Sequence, residues 1–537
     1  MEDGMTAAEP DTLDLARGAL ARDPFGTYAR LRKRHCLARG LVPGARPRWL
    51  ATRYADVKAV ISDPRFVNNI ASVPGSRSSG LLDRVRLDAG IPAGYLKYLH
   101  AGLPGLDGAQ HTRVRKLVSG AFTARRVARF RPRIEAIAAT LLGRLPAHAG
   151  EGPVDLLRHF AYPLPLSVIC ELVGVPVEHR EQWREWSAML ASGIGGDALC
   201  AMVHHTHRLI ERHRAAPGDD LICELTRAHD SGTDRLSDTE LVTLILSLVV
   251  AGHETTAHLI VNAIVALSGH PGQLAELHEN EDSMTGAIDE FMRWCGPVPV
   301  AFTRYATQEI EICNTVIRAG EAVMPVLAAA NYDPAAFAEP ERLDITRDTA
   351  GRRETHLGFG YGPHYCLGAA LAHLEAEVAV SALFRRFPRL SLTVPPGDLE
   401  RTSRRGTRRL TALPARLLWS RTETEGERMT GAGGRLPENL RAGLSTLNLL
   451  TAQETAILRM LAAGMDNRAV ARQLGIREAT VKAHMTAVLG KLGVSSRLQA
   501  GLVAFAACLD GRLDWNDLTD QGRGRDGAHI SVRAGAR

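Results

Sequence analysis

The chain has 537 residues, 23% charged and 45% hydrophobic, which is the balance of a folded globular protein rather than a disordered or fibrous one. Its 65 Lys and Arg against 59 Asp and Glu leave a formal +6, too little over this length to mark the whole chain as nucleic-acid binding. The length itself predicts more than one folding unit.

No uninterrupted apolar run reaches the ~18 residues of a membrane span. The best, residues 241–252, is stopped by His253 and Glu254. The N-terminus is acidic and lacks the basic-then-apolar build of a signal peptide. The 8 cysteines include no CxxC pair and are too sparse for a disulfide scaffold, which suits a reducing compartment. Together these features predict a cytoplasmic protein with no membrane contact.

In chain order, residues 1–420 read as a mostly α body with small β pieces. Apolar residues recur at helical spacing over 127–145 and 241–267. Short strands are predicted at 49–52, 310–312, 316–317 and 322–326, with Gly and Asn supplying turns. Residues 421–445 are polar and Gly-containing and read as a linker. A small all-α unit is predicted over 446–510, and the Gly/Arg-rich residues 511–537 read as a disordered tail.

The most specific segment is Phe359-Gly-Tyr-Gly-Pro-His-Tyr-Cys366-Leu-Gly368. Gly360, Gly362 and Gly368 allow close backbone approach to a flat ligand and free amides to point at one atom. A thiolate at Cys366 would gain from those amides and from the start of a following helix, as an iron-bound sulfur requires. The segment resembles the signature of the soluble bacterial cytochromes P-450, and the resemblance extends over roughly residues 10–418. It implies a large α+β cytochrome P-450 fold and haem b with Cys366 as the proximal thiolate, which favours O–O cleavage.

Further segments fit the same family. By the resemblance, Gly252 gives room for oxygen, and Glu254 and Thr255 on the 241–267 helix help deliver protons. Glu290 and Arg293 stack at i,i+3 on one helix face, and the resemblance makes them a structural network with Arg342. His111, Arg115, Arg304 and His364 match positions that hold the haem propionates. Tyr332 and His373 depart from the family pattern, standing where arginine is usual. No flavin, nicotinamide or iron–sulfur motif is visible, so the resemblance implies electrons from an external ferredoxin and NAD(P)H reductase. Substrate would be contacted by residues 80–104 and 160–195.

In the C-terminal unit, Thr451 and Glu454 form a capping-box pattern. Short helices ending at Gly464 and Gly475 lead into a longer one at 478–492, a helix-turn-helix layout. LTAQE, NRAVARQLGI, EATVKAH and KLGVSSRLQA resemble the LuxR-type DNA-binding module. That resemblance places Lys482, Ala483 and Thr486 at base edges and Thr480 and His484 near backbone. It also implies a dimer through residues 496–509.

The favoured reading is a haem-thiolate monooxygenase using O₂ on an apolar small molecule, with an attached DNA-binding module. The alternative is a haem-based ligand-sensing transcriptional regulator. A third is two joined genes, with Met429 inside the linker as a start for the second.

Overall fold

The structure is a computed structural model describing residues 12–14, 23–41, 47–76, 90–149, 152–192, 195–218, 220–231, 236–280, 283–347, 356–402, 409–417, 444, 446–462, 467–494, 500 and 503–504. The chain divides into two compact units, Met1–Leu418 and Trp419–Arg537. The linker predicted at 421–445 lies, except for Leu444, outside the described residues, as does the predicted tail.

The principal helices of the first unit are α1 (Gly108–Ser119), α2 (Ala124–Ala149), α3 (Pro163–Val173), α4 (Arg180–Ser192), α5 (Asp238–Gly269), α6 (Met284–Cys295) and α7 (Ala369–Arg386). The 32-residue α5 is the axis. Ser237 caps it: its hydroxyl accepts from the Glu240 amide at 3.2 Å, and Glu240 accepts from the Ser237 amide at 2.8 Å. Beyond that start the helix is apolar nearly all round, so most of it is buried, with α3, α6 and α7 packed against it. By length and mean hydropathy α5 could span a membrane, but 61% of its most apolar stretch is buried inside the body, the pattern of a core helix.

The main sheet has six strands, β1 (Thr12–Asp14), β2 (Leu37–Leu41), β3 (Arg48–Ala51), β4 (Phe66–Val67), β5 (Arg304–Ala306) and β6 (Ala322–Pro325), in the order β1-β2-β3-β6-β5-β4. Pairing is parallel at β1–β2 and β3–β6 and antiparallel elsewhere. Leu37, Trp49, Val57, Val60, Ile61 and Val323 fill the core beneath it. A two-stranded ribbon, β7 (Arg401–Thr402) with β8 (Arg409–Leu410), lies late in the unit.

Cys36 and Cys313, 277 residues apart, are joined as a disulfide with Cα atoms 6.1 Å apart. No spacing signals this pair, because β2 and the hairpin Ile310–Ile312/Thr315–Ile317 meet only in the fold. Tyr332 stacks on Phe25 at 4.1 Å and donates its hydroxyl to the Trp294 carbonyl at 2.8 Å. His373 bonds the Thr285 carbonyl at 3.0 Å and faces Asp289 at 3.5 Å. Each departure from the family pattern thus has its own partner.

Glu290 and Arg293 on α6 form a two-pronged ion pair at 2.7 Å on both contacts, 3% and 2% exposed. Arg293 also donates to the carbonyls of Asn331, Pro340 and Arg342. The third side chain on Glu290 is Arg347, at 3.1 Å, and not Arg342. The Arg342 side chain is exposed beside Glu339; only its carbonyl enters the network. The reason is geometric: Glu290 also accepts the Asp344 amide at 2.9 Å, so the chain turns there and brings Arg347, three residues on, back to the carboxylate.

In the second unit α8 (Ala452–Ala462), α9 (Asn467–Leu474) and α10 (Glu478–Leu492) bury Ile457, Leu458, Val470, Val481, Met485, Val488 and Leu492. Thr451 and Glu454 make the reciprocal cap, at 2.7 and 3.3 Å, and Glu454 also holds Lys491 of α10 at 2.7 Å. Gly475, at φ +65°, makes the left-handed turn between α9 and α10. Of the helix predicted at 496–509, only residues 500, 503 and 504 are described, and all three are buried.

Replacing Arg347 with alanine should therefore destabilise the first unit by about 1.5–3 kcal/mol, the worth of hydrogen bonds to a charged group. Arg342→Ala should be nearly neutral in the same thermal unfolding measurement.

Candidate active site and DNA-facing helix

The Cys366 loop is shaped by its glycines. Gly360 at φ +77° and Gly362 at φ +71° reverse the chain through the short turn Gly362–His364. A Cβ on Gly362 would also press against Ser62 at 3.3 Å. The Cys366 amide donates to the Phe359 carbonyl at 2.9 Å, which closes the loop. Gly368 stands at the N-terminus of α7. Burial pushes the Cys366 thiol up, while the Gly368 amide and the Arg115 charge pull it back. A sulfur so placed keeps its proton unless a metal takes the proton's position.

Four basic residues converge from separate stretches: His111 and Arg115 on α1, Arg304 on β5, and His364 in the cysteine loop. The His111 and His364 rings lie 4.1 Å apart. His111 and Arg304 are each 4% exposed, and His111 Nε2 and Arg304 Nε are buried without a partner. Burial, then Arg304, His111 and Arg115, drive His364 down to about 3. Burial lowers Arg304 to about 10, against a partial pull from Asp107. Asp107, however, is occupied by the amides of Asn68 and Asn69 and the hydroxyl of Ser72. Unmet buried donors in a region of excess positive charge fit a dianionic group such as the two carboxylates of haem. The residues present fit haem, and Cys366 would be the thiol to hold its iron.

On α5, Ala251 and Thr255 are exposed, one turn apart, in a helix whose neighbouring residues 249, 253 and 256–265 are buried. The Thr255 hydroxyl donates to the Ala251 carbonyl at 2.9 Å. Glu254 is half-buried and ion-paired with Arg409 of β8, a partner that the local sequence does not announce. A Cβ on Gly252 would meet Ile169 of α3 at 2.8 Å, so helix packing alone already requires that glycine. Of the predicted substrate-contacting stretches, residues 80–89 and 193–194 lie outside the described residues.

On α10 the buried Val481, Met485, Val488 and Leu492 face the core, which turns Thr480, Lys482, Ala483 and Thr486 outward, with His484 half-buried between. Lys482 lies 3.6 Å from Glu478, both largely in solvent, a pair of little strength that leaves the lysine free to exchange partners.

The cation cluster generates a prediction with opposite signs. Arg304→Leu should stabilise the haem-free chain, by removing a buried charge that lies near Arg115 and depresses both His111 and His364. It should weaken the haem-loaded chain by about 1.5–3 kcal/mol. Thermal midpoints with and without haem check both signs.

Residues 201–416 match the family model for cytochrome P450, and residues 448–504 match that for bacterial regulatory proteins of the luxR family. Cytochrome P450 107B1 of Saccharopolyspora erythraea is 41% identical over 399 residues, which are 74% of this chain and 95% of that protein. The cytochrome P450 monooxygenase PikC of Streptomyces venezuelae is 39% identical, with 79% of this chain and 98% of PikC covered. Among solved structures, the tirandamycin C-bound P450 monooxygenase TamI aligns with a TM-score of 0.67 at 37% identity, covering 76% of this chain and 100% of that one. The fold, the cysteine loop and these likenesses agree: the chain belongs to the cytochrome P450 family of monooxygenases and carries a luxR-type DNA-binding domain in its second unit.

Proposed function

We propose that the first unit hydroxylates or epoxidises a small, largely apolar metabolite, and that the second unit binds DNA through the outward face of α10. The observation that carries the enzymatic reading is the exposed Ala251–Thr255 strip, with the acid Glu254 beside it, on an otherwise buried helix. A protein that only sensed a ligand would have no need of an acid beside an exposed alcohol on its core helix.

Haem, when bound, supplies the dioxygen activation that C–H oxidation needs. The chain's own residues do the rest. Cys366 would hold the iron by its sulfur, and His111, Arg115, Arg304 and His364 would bind the propionates and fix the plane of the ring. Thr255 offers an exposed hydroxyl, and Glu254 is the nearby group able to pass it a proton. Electrons would come from a separate ferredoxin-type protein with its NAD(P)H-dependent reductase. The tirandamycin C held by the structural neighbour supports a small-molecule substrate for a cleft in this fold.

One observation favours a second reading. The luxR-type unit shares the chain with the haem body, as a haem-based ligand-sensing regulator would require. Spectroscopy and turnover separate the two readings. The reduced, CO-bound chain should show the red-shifted Soret band of a thiolate-ligated haem, and Cys366→Ser should abolish it. Thr255→Ala should keep that band and its haem content while diverting electrons to hydrogen peroxide. A chain that binds haem and DNA but shows no such diversion would favour the sensor.

For the second unit, the full chain should bind DNA from its own promoter region in a salt-dependent manner. Lys482→Ala should weaken binding and reduce the slope of log affinity against log salt by about one. An unchanged slope would place that lysine off the phosphate backbone.

A further inference from the structure

Where helix Gly196–Ala215 ends and helix Leu221–Ser231 begins, three side chains with metal-binding atoms meet. They are His213, Asp220 and Cys223, and their nitrogen, oxygen and sulfur atoms all lie within 4.8 Å of one another. His213 Nε2 stands 3.2 Å from Asp220 Oδ2, with the two side chains 10% and 22% exposed. Cys223 is buried. None of the three belongs to the Cys366 loop, the basic cluster or the Ala251–Thr255 strip. The other grouping of this kind among the described residues, Cys36, Asp56 and Cys313, is closed by its disulfide.

Each of the three atoms is already oriented. The Leu209 carbonyl can only accept, so its 2.7 Å contact fixes a proton on His213 Nδ1 and turns Nε2 toward Asp220. A nitrogen lone pair and a carboxylate oxygen at 3.2 Å repel unless a cation stands between them, either a proton or a metal ion. Asp220 Oδ1 accepts the Cys223 amide at 2.9 Å, which leaves Oδ2 as the ligating oxygen. The Gly218 amide donates to Cys223 Sγ at 3.0 Å, the support that a thiolate needs. Arg227 in turn donates to the Gly218 carbonyl at 3.4 Å. Gly174, left-handed at φ +104°, ends α3 against this group. A Cβ there would meet Asp220 Cγ at 2.7 Å and His213 Nε2 at 3.0 Å, so the glycine keeps the nitrogen and the carboxylate clear.

We propose that His213 Nε2, Asp220 Oδ2 and Cys223 Sγ form a binding site for a divalent ion of the zinc class, with water as the fourth ligand. A proton shared by Nε2 and Oδ2 would satisfy the histidine and the aspartate and leave the sulfur out; a metal ion uses all three. Imidazole, carboxylate and thiolate are the ligands zinc takes, whereas magnesium and calcium have no use for a sulfur. Two ligands ~2.0–2.1 Å from one tetrahedral ion stand roughly 3.3 Å apart. Nε2 and Oδ2 are already at 3.2 Å. The Leu209 carbonyl and the amides of Cys223 and Gly218 supply the outer hydrogen bonds that hold such ligands in place. On binding, the thiol gives its proton to solvent, and the ion replaces any proton between Nε2 and Oδ2. The role is structural: the ion joins the last turn of one helix to the start of the next. It takes no part in oxidation, and it stands apart from both the enzymatic and the sensing reading.

The test uses the haem-loaded full chain, stripped with a chelator and dialysed against zinc. Zinc X-ray absorption reads that metal alone, so the haem iron does not interfere. The chain should retain about one equivalent, with a sulfur at ~2.3 Å and nitrogen or oxygen at ~2.0–2.2 Å. Cys223→Ser should remove the sulfur shell. His213→Gln, Asp220→Asn and Cys223→Ser should each weaken zinc binding by more than the roughly 10–100-fold that loss of an outer partner costs. Asp220→Asn keeps an oxygen for the Cys223 amide and offers the metal only an NH₂ group, so it tests ligation without undoing the corner. Failure to retain zinc, a shell without sulfur, or displacement by excess magnesium overturns the proposal. So does any variant with normal haem content that binds zinc as tightly as the wild type, because the ion then sits elsewhere. If Cys223→Ser fails to fold, Asp220→Asn decides by the same measure.

Discussion

Four basic side chains carried into low dielectric, with their best acid already engaged, set the terms for the first unit. His111, Arg115, Arg304 and His364 depress one another or are depressed by burial, and Asp107 is held by two amides and a hydroxyl. An arrangement of that kind is costly when empty of anions and favourable around a pair of carboxylates. The cysteine loop completes it, because Arg115 acts on Cys366 as well as on the histidines. The cations and the sulfur are thus parts of one site rather than two.

The remaining architecture brings those groups together. The sheet carries Arg304, and α1 carries His111 and Arg115. The Glu290–Arg293–Arg347 network fixes the 331–347 stretch between α6 and the cysteine loop. Asn331 links the two directly, since its carbonyl accepts from Arg293 and its side chain accepts the Leu357 amide at 2.8 Å. A buried ion pair of this type does little for stability relative to a well-packed apolar one, but breaking it leaves a stranded charge. Its place beside the loop gives it an organising role. Along α5, the same apolar surface that makes it the core axis leaves Ala251 and Thr255 exposed midway along its length.

What the sequence showed was mostly local. The ten-residue cysteine signature, the i,i+3 spacing of Glu290 and Arg293, and the capping box at Thr451 each lie within one or two turns of chain. The 478–492 helix has the bounds its pattern predicts, and Gly493, in the left-handed conformation, ends it. Contacts between distant segments were not legible. Arg342 and Arg347 stand five residues apart in similar surroundings, and only the turn at Asp344 selects the second. Arg409 reaches Glu254 across about 150 residues, and Cys36 reaches Cys313 across 277, with no spacing rule to signal either. The strands at 12–14 and 37–41 were also missed, since each is short and needs its neighbour to be a strand at all.

The central claim is that this chain folds its basic residues around the carboxylates of a haem whose iron is held at Cys366. Titrating the haem-free chain with haem and with haem dimethyl ester, followed by the Soret band, tests it most directly, because the ester keeps the ring and iron and removes both negative charges. The ester should bind at least about a hundredfold more weakly, as loss of two charge-assisted contacts requires. Equal affinity for the two would contradict it.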